Sequence, residues 1–364
     1  MLKRSSDETV AYSSLSPTAR SKLHFVVDSD PGITRKPAGP NFKYLSATGT
    51  LIRDKRTLAR IRALVIPPAW TDVWICSDAR GHIQVTGRDA RGRKQYRYHP
   101  DFIQQRDEAK YAHLIAFGKT LPKVRRTIAR HMKERGLTRR KVLATVTYLL
   151  DNALIRVGNP EYARQNNSFG LTTLQNRHAA VSGSELRFKF RGKTGKEWKL
   201  KISDRRVARI VRSCQELPGQ HLFQYEDDAG DVRQITSSDV NDYIRSIAGP
   251  EVSAKDFRTW AGTVRVAAAL KDCEPGSEKT NKQAIRDAIA GVAAKLGNTP
   301  TICRKCYVHP EVLGAFVDGE LRRDDRNGQL SKRRPATLSP EEALTIAVLI
   351  ARKRRRRRAA PARQ

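Results

Sequence analysis

The chain has 364 residues, 39% of them hydrophobic and 29% charged, with a formal net charge of +33. That length suits about two domains with a sizeable core, and the charge asks for a polyanionic partner, nucleic acid by default. The composition excludes a wholly disordered chain, and five cysteines in an odd, irregular set argue against a disulfide framework.

The basic excess is not confined to one end. Residues 331–364 hold eleven Lys and Arg against two Glu, which leaves +24 on the remainder. The opening "MLKRSSDETVAYSS" lacks the apolar stretch of a signal peptide. The longest apolar run, "ALTIAVLIA" at 343–351, is too short to span a bilayer. The expectation is a reducing, intracellular setting with free thiols and no membrane partner.

Residues 1–20 are polar and Ser-rich and are expected to be a mobile segment. From 21 to 104 short apolar runs alternate with turn residues. "HFVVDS", "DVWICSD" and "GHIQVTGRD" predict strands, and "DKRTLARIRAL" at 54–64 predicts a helix. Pro31-Gly32 and Pro67-Pro68 punctuate them. After Pro100 the pattern turns helical. The segment to about 135 carries helical periodicity and Gly136 stops it; Thr138 then suits the N-cap of a helix reaching about Ile155.

One β-hairpin interrupts the helices. In "ELRFKFRGKTGKEWKLKI", Leu186, Phe188 and Phe190 alternate with Arg187, Lys189 and Arg191, and Trp198, Leu200 and Ile202 alternate with Lys199 and Lys201. One face is core and the other basic. Helices resume at "DRRVARIVRSC", "SDVNDYIRSIA", "TVRVAAALKD" and "NKQAIRDAIAGVAAKL", the last ended by Gly297 as a left-handed cap. "SPEEALTIAVLIARK" predicts a short tail helix with Ser339 as N-cap, Pro340 at N1 and Glu342 closing a capping box. The "RKRRRRR" run at 352–358 reads as a disordered extension. The fold class is therefore α+β: a β-rich N-terminal domain at 21–104, a mainly helical domain at 105–322 with an inserted hairpin, and a basic tail at 323–364.

The motif "NTPTICRKCYVHP" at 298–310 holds Cys303 and Cys306 in C-x-x-C spacing. Structural zinc needs four ligands, and beyond His309 no further ligand lies nearby. A redox pair should follow a strand, whereas this one follows a helix. Thr299 and Pro300 fit an N-cap and N1, so 301–307 can form a short helix with both cysteines on one packing face. Tyr307 then points elsewhere and gains interest only if cations converge on it.

The ordered motifs resemble those of the type IB DNA topoisomerases of compact, bacterial and poxvirus-like form. "LIRVGNPEYARQNNSFGLTTLQNRH" resembles the segment carrying the first catalytic arginine, Arg156 here. "FKFRGKTGKEW" resembles the hairpin with the catalytic lysine, Lys193, and "AKDFRTWAGT" the segment with the second arginine, Arg258. "NTPTICRKCY" resembles the nucleophile segment, ending in Tyr307. "VIPPAWTDVWIC" and "GRKQYRYHPDF" resemble the N-terminal clamp domain, in which Gln95, Tyr96 and Tyr98 match DNA contacts.

The resemblance implies an ATP-independent isomerase. It would relax supercoiled duplex DNA by transient single-strand cleavage through a 3′-phosphotyrosyl link, needing neither cofactor nor metal. It also implies a monomer clamped around double-stranded DNA in a bacterial cytoplasm, at the nucleoid. Poxvirus members place a histidine nine residues before the tyrosine; Asn298 stands there in this chain, as in bacterial relatives, and takes the phosphate-contacting role. Two alternatives remain. A tyrosine recombinase or integrase shares the Arg, Lys, Arg, Tyr set but usually carries histidine three residues before the second arginine, where this chain has Lys255, as topoisomerases do. A non-enzymatic architectural DNA-binding protein would explain the charge but not the ordered motifs.

Overall fold

A computed structural model describes residues 23–323 and 337–359. The expected mobile segment at 1–20 and the start of the basic tail lie outside the described residues. The chain forms two compact units that divide between Ala112 and His113. The division falls within a long helix, α2 (Pro100–His131).

The first unit is a five-stranded antiparallel sheet in the order β2-β1-β3-β4-β5. Its strands are β1 (Gly32–Ala38), β2 (Asn41–Leu45), β3 (Thr71–Cys76), β4 (Ile83–Arg88) and β5 (Lys94–Tyr98). Successive side chains of a strand point to opposite faces. Val73 and Ile75 accordingly pack with Ile33, Val85 and Ile61 of α1 (Lys55–Ala63), while Trp74 and Cys76 pack with Ile83 on the other side. Asp54 caps α1 by accepting from the Thr57 amide at 2.7 Å. The "HFVVDS" strand does not form beyond an isolated bridge at His24. The hairpin β1–β2 stands instead where Pro31-Gly32 had suggested only a turn. β1 carries Pro37 and little apolar alternation, and the Phe42-Lys43-Tyr44 alternation of β2 is too short to stand out; the sheet recruits β1 through backbone pairing with β3, and β2 through pairing with β1.

The second unit is mainly helical. It contains α3 (Arg139–Asn152), α4 (Pro160–Asn166), α5 (Arg205–Glu216), α6 (Ser237–Ala248), α7 (Ala254–Lys271), α8 (Glu278–Leu296), α9 (Pro300–Tyr307), α10 (Pro310–Val317), α11 (Glu320–Arg323) and α12 (Pro340–Ala359). A three-stranded sheet joins β6 (Ala179–Ser182), β7 (Glu185–Arg191) and β8 (Glu197–Ser203), and a small hairpin pairs β9 (Gln224–Glu226) with β10 (Val232–Gln234). The β7–β8 hairpin follows the alternation of its sequence. Phe188 opposes Leu200 and Phe190 opposes Trp198, whose rings stack at 6.0 Å, with the basic residues outward. The "AKDFRTWAGT" segment is helical throughout, because Ser253 and Asp256 form a capping box that starts α7 ahead of it.

The tail departs most from expectation. The capping box of Ser339 and Glu342 forms as expected. The helix does not end before the arginine run, however; it continues to Ala359. Leu344, Val348 and Leu349 are buried in one cluster with Cys303, Leu296 and Phe316. The arginines are ordered because acids from α10 to α11 meet them. Arg352 bonds Glu311, Asp318 at 2.7 Å and Glu320 at 3.0 Å; Arg355 pairs with Glu320 and Arg356 with Glu311. Residues 337–359 therefore belong to the packed unit rather than to a basic extension.

Candidate active site

Thr299 caps α9 by accepting from the Ile302 amide at 3.3 Å, and Pro300 occupies its first turn. Cys303 faces inward and is fully buried, which pushes its thiol up to about 11. Cys306 is only half-buried, so the pair does not share one packing environment. His309 is engaged at the next helix, where its Nδ1 accepts from the Glu311 amide at 3.1 Å, capping α10. Among the described residues no group of three or more His, Cys, Asp or Glu side chains could hold a metal ion.

Tyr307 ends α9, half-buried at the edge of the core. Its backbone is fixed against α7. Thr263 Oγ1 donates to the Tyr307 carbonyl at 3.3 Å and accepts from the His309 amide at 3.1 Å. A Cβ on Gly262 would fall 2.5 Å from that same carbonyl oxygen, so only glycine lets α7 and α9 approach this closely.

Arg258, one turn earlier on α7, lies with its guanidinium carbon 5.3 Å from the centroid of the Tyr307 ring. It is 3% exposed. It donates to the carbonyl of Leu154, just past α3, and to the carbonyl of Leu296 at the end of α8, the latter at 2.6 Å. Both carbonyls lie at helix ends, where backbone acceptors lack intrahelical partners. Leu154 holds φ at +56°, an uncommon conformation for a branched residue, and the bond from Arg258 locks that turn. Burial, then repulsion from Arg156, push Arg258 down to about 10, which leaves it cationic at neutral pH.

Arg156 emerges two residues beyond Leu154. It donates to Asn298 Oδ1 at 2.5 Å and to the Gly297 carbonyl at 3.3 Å. Burial lowers its affinity for a proton, and the nearby Tyr307 side chain works the other way. The same side chain lies within reach of Arg258. Gly297 ends α8 at φ +61°, and a Cβ there would strike the Trp198 ring at 2.7 Å. Trp198 thus seats the Asn298 segment against the hairpin. Two buried donors in this cluster, Arg258 Nε and Asn298 Nδ2, have no acceptor among the described residues.

Arg156, Arg258, Asn298 and Tyr307 are therefore brought together. Lys193 occupies the one-turn helix Lys193–Gly195 at the exposed tip of the hairpin, with Nζ 5.7 Å from the Tyr162 ring centroid. Lys196 is engaged elsewhere, donating to the Ala294 carbonyl of α8 at 2.8 Å. Lys255 is exposed on the first turn of α7, one turn from Arg258.

The three residues matched to DNA contacts lie on β5, an edge strand, but do not share a face. Tyr96 and Tyr98 lie on one side, their rings stacked at 5.9 Å, with Tyr98 half-buried against Phe102. Gln95 projects to the other side and donates to Asp89 at 3.0 Å. Sequence reasoning did not find Gly262, Thr263 or Trp198 as parts of the site. The "AGT" that follows "RTW" marked the segment without showing that its glycine touches the tyrosine.

A catalytic unit of this kind has known counterparts. Residues 99–324 match the family described as eukaryotic DNA topoisomerase I, catalytic core. Residues 41–89 match the bacterial DNA topoisomerase IB N-terminal domain. DNA topoisomerase 1B of Acanthamoeba polyphaga mimivirus is 32% identical over 285 residues, covering 76% of this chain and 85% of the viral protein. DNA topoisomerase 1B of vaccinia virus (strain Copenhagen) is 23% identical over 264 residues, covering 70% and 80%. DNA topoisomerase 1 of Mycosarcoma maydis is 22% identical over 192 residues, covering 48% of this chain and 19% of the fungal protein. With an N-terminal β-sheet unit of bacterial type preceding a helical catalytic core, the chain belongs to the type IB DNA topoisomerases, in their compact bacterial and poxvirus-like form, and is an isomerase acting on DNA.

Proposed function

We propose that Tyr307 is the nucleophile of a DNA transesterification in which Arg156, Arg258 and Asn298 hold the scissile phosphate. The observation that carries this reading is the pair of unpartnered buried donors, Arg258 Nε and Asn298 Nδ2, beside Tyr307. Buried donors are almost always satisfied, and a phosphate oxygen supplies the acceptor that the described residues do not.

In the forward step Tyr307 Oη forms a bond to phosphorus and the bond from phosphorus to O5′ breaks. The phenolic proton passes to water at the half-exposed Tyr307, and Lys193 Nζ gives a proton to the departing 5′-oxygen. The product is a 3′-phosphotyrosyl link and a free 5′-hydroxyl, and strand rotation precedes the reverse reaction. The phosphodiester energy stays in the covalent link, so resealing needs no ATP. The transition state carries extra negative charge on its non-bridging oxygens. Two guanidiniums already held by protein acceptors stabilise that charge with little reorganisation.

Residues 21–104 form the DNA-clamp domain and 105–322 the catalytic domain of this reading. Tyr96, Tyr98 and Lys255 contact duplex DNA, and Gln95 does so from the opposite face of β5. The protein acts as a monomer around the duplex, in a bacterial cytoplasm. Among the described residues no helix is long and apolar enough to cross a membrane.

The test is to trap the covalent complex by denaturation during relaxation of supercoiled plasmid and to map the linked peptide. A 3′-phosphate on Tyr307 with 5′-hydroxyl DNA is expected, and Tyr307→Phe should bind DNA without forming an adduct. A link to the 5′-phosphate, or an adduct in the phenylalanine variant, would overturn the assignment. Strand exchange between sites would point instead to a recombinase.

A further inference from the structure

Trp260 lies two residues beyond Arg258 on α7 and is 2% exposed. Its ring packs edge-on to Phe117 of α2 at 6.4 Å, and its Nε1 donates to Glu342 Oε1 at 3.0 Å. Glu342 belongs to the first turn of α12, a helix that follows the nucleophile segment and takes no part in the chemistry outlined above. Every lone-pair direction of this carboxylate is used. Arg125 of α2 forks onto Oε1 and Oε2, both at 2.8 Å, and the Ser339 amide donates to Oε2 at 2.9 Å. The other edge of Arg125 grips Asp151 at 2.7 and 3.0 Å. Asp151 sits in the last turn of α3, three residues before Leu154, whose carbonyl holds Arg258, and five before Arg156.

The network thus has two ends at the site. One is Trp260, on the helix that carries Arg258. The other is Asp151, at the helix end from which Arg156 departs. Charged forks of this kind fix geometry as well as adding energy. A buried, fully satisfied carboxylate cannot shift without leaving donors unpaired.

We propose that Glu342 is a positioning residue for strand cleavage, setting the two arginines against the phosphate through Trp260 and through Arg125 with Asp151. This rests on the reading that Arg156 and Arg258 hold the scissile phosphate. Glu342→Gln keeps the volume and an oxygen for the Trp260 N–H, but presents an amide to half of the Arg125 fork.

Single-turnover cleavage is measured on a phosphodiester duplex and on one whose scissile phosphate carries a methyl group in place of a non-bridging oxygen. Thermal unfolding and DNA affinity are recorded in parallel, well below the unfolding midpoint. Misplacement of catalytic groups by a remote change costs up to about 100-fold, so cleavage of the phosphodiester should fall by roughly 10- to 100-fold. DNA affinity should stay within about twofold, because the groups that meet the duplex are unchanged. The neutral methylphosphonate needs less charge complementation, so the deficit should shrink there by about fivefold or more. An unchanged cleavage rate in folded protein, or an equal deficit on both substrates, would overturn the proposal. If Glu342→Gln does not accumulate folded, Trp260→Phe, which deletes the N–H while keeping a packed ring, is read by the same criteria. Arg156→Ala separates the two levels. If its own deficit does not shrink on the neutral substrate, the arginine–phosphate reading fails; if it shrinks while that of Glu342→Gln does not, only the positioning role fails.

Discussion

Gly262 lies directly against the backbone of Tyr307, where a Cβ would stand 2.5 Å from the tyrosine carbonyl oxygen and 3.0 Å from its Cβ. The contact brings the helix bearing Arg258 and the helix bearing Tyr307 to within backbone distance. Neither clashing atom is the end of a flexible side chain, so α9 as a whole has to move.

Gly262→Ala should therefore slow strand cleavage by about 100-fold, the scale of a displacement near 1 Å at the reacting groups. DNA binding should change little, since the residue is buried between helices and meets no solvent-facing surface. Single-turnover cleavage alongside a filter-binding titration checks both halves. A variant that cleaves at the wild-type rate would mean that α9 is free to slide without consequence.

Asn298 receives Arg156 on its oxygen, and its amide nitrogen has no acceptor among the described residues. If Asn298 holds the scissile phosphate, Asn298→Ala removes one of its donors, and loss of such a donor costs about 100- to 1,000-fold in rate. Asn298→Asp should be no better and somewhat worse, because it adds a negative charge facing the phosphate while keeping an acceptor for Arg156. Asn298→His, which restores a donor, should recover part of the loss. Rates of adduct formation at saturating protein rank the three variants, and an aspartate variant faster than the alanine variant would contradict the assignment.

Local patterning foretold what local physics decides. Period-2 alternation foretold the β7–β8 hairpin, and Thr299, Pro300, Ser339 and Glu342 announced their caps. The candidate site was legible only through the order of motifs, since Arg156 is one of many basic residues and nothing near it in sequence names Asn298 as its acceptor. The arginine run of α12 misled because its partners, Glu311 and Glu320, lie some 30 to 45 residues earlier, beyond the reach of any helical pattern. Gly262 escaped notice for a related reason: close approach between two helices leaves no signature in either one alone.

Glu342 also makes stability depend on pH. Burial by itself would raise its carboxyl; hydrogen bonding and attraction from Arg125 outweigh that and hold it below the ordinary value of 4.5. A carboxylate with a depressed folded-state pKa stabilises fully above its unfolded value, and that contribution is lost as pH falls through the folded one. Wild type should therefore exceed Glu342→Gln in urea midpoint at pH 7, with the gap closing below about pH 4.5. A gap that widens on acidification would mean that Glu342 is not held as a paired carboxylate.

Lys193 and Lys196 share one turn but not one environment, and that difference predicts separate phenotypes. Lys196 Nζ is spent on the Ala294 carbonyl, which ties the hairpin to the end of α8. Lys193 stands at the exposed tip of the hairpin, its Nζ over the Tyr162 ring. If Lys193 protonates the leaving oxygen, Lys193→Ala should slow cleavage by about 100- to 10,000-fold, the span of general-acid assistance. Replacing the bridging 5′-oxygen by sulfur supplies a leaving group that needs no proton, so the same variant should then approach the wild-type rate. Lys196→Ala loses one hydrogen bond and some order in the turn, so its deficit should stay within about tenfold. Sulfur should not relieve that deficit, because it does not arise from proton transfer. Rescue of the Lys196 variant but not the Lys193 variant would exchange their roles.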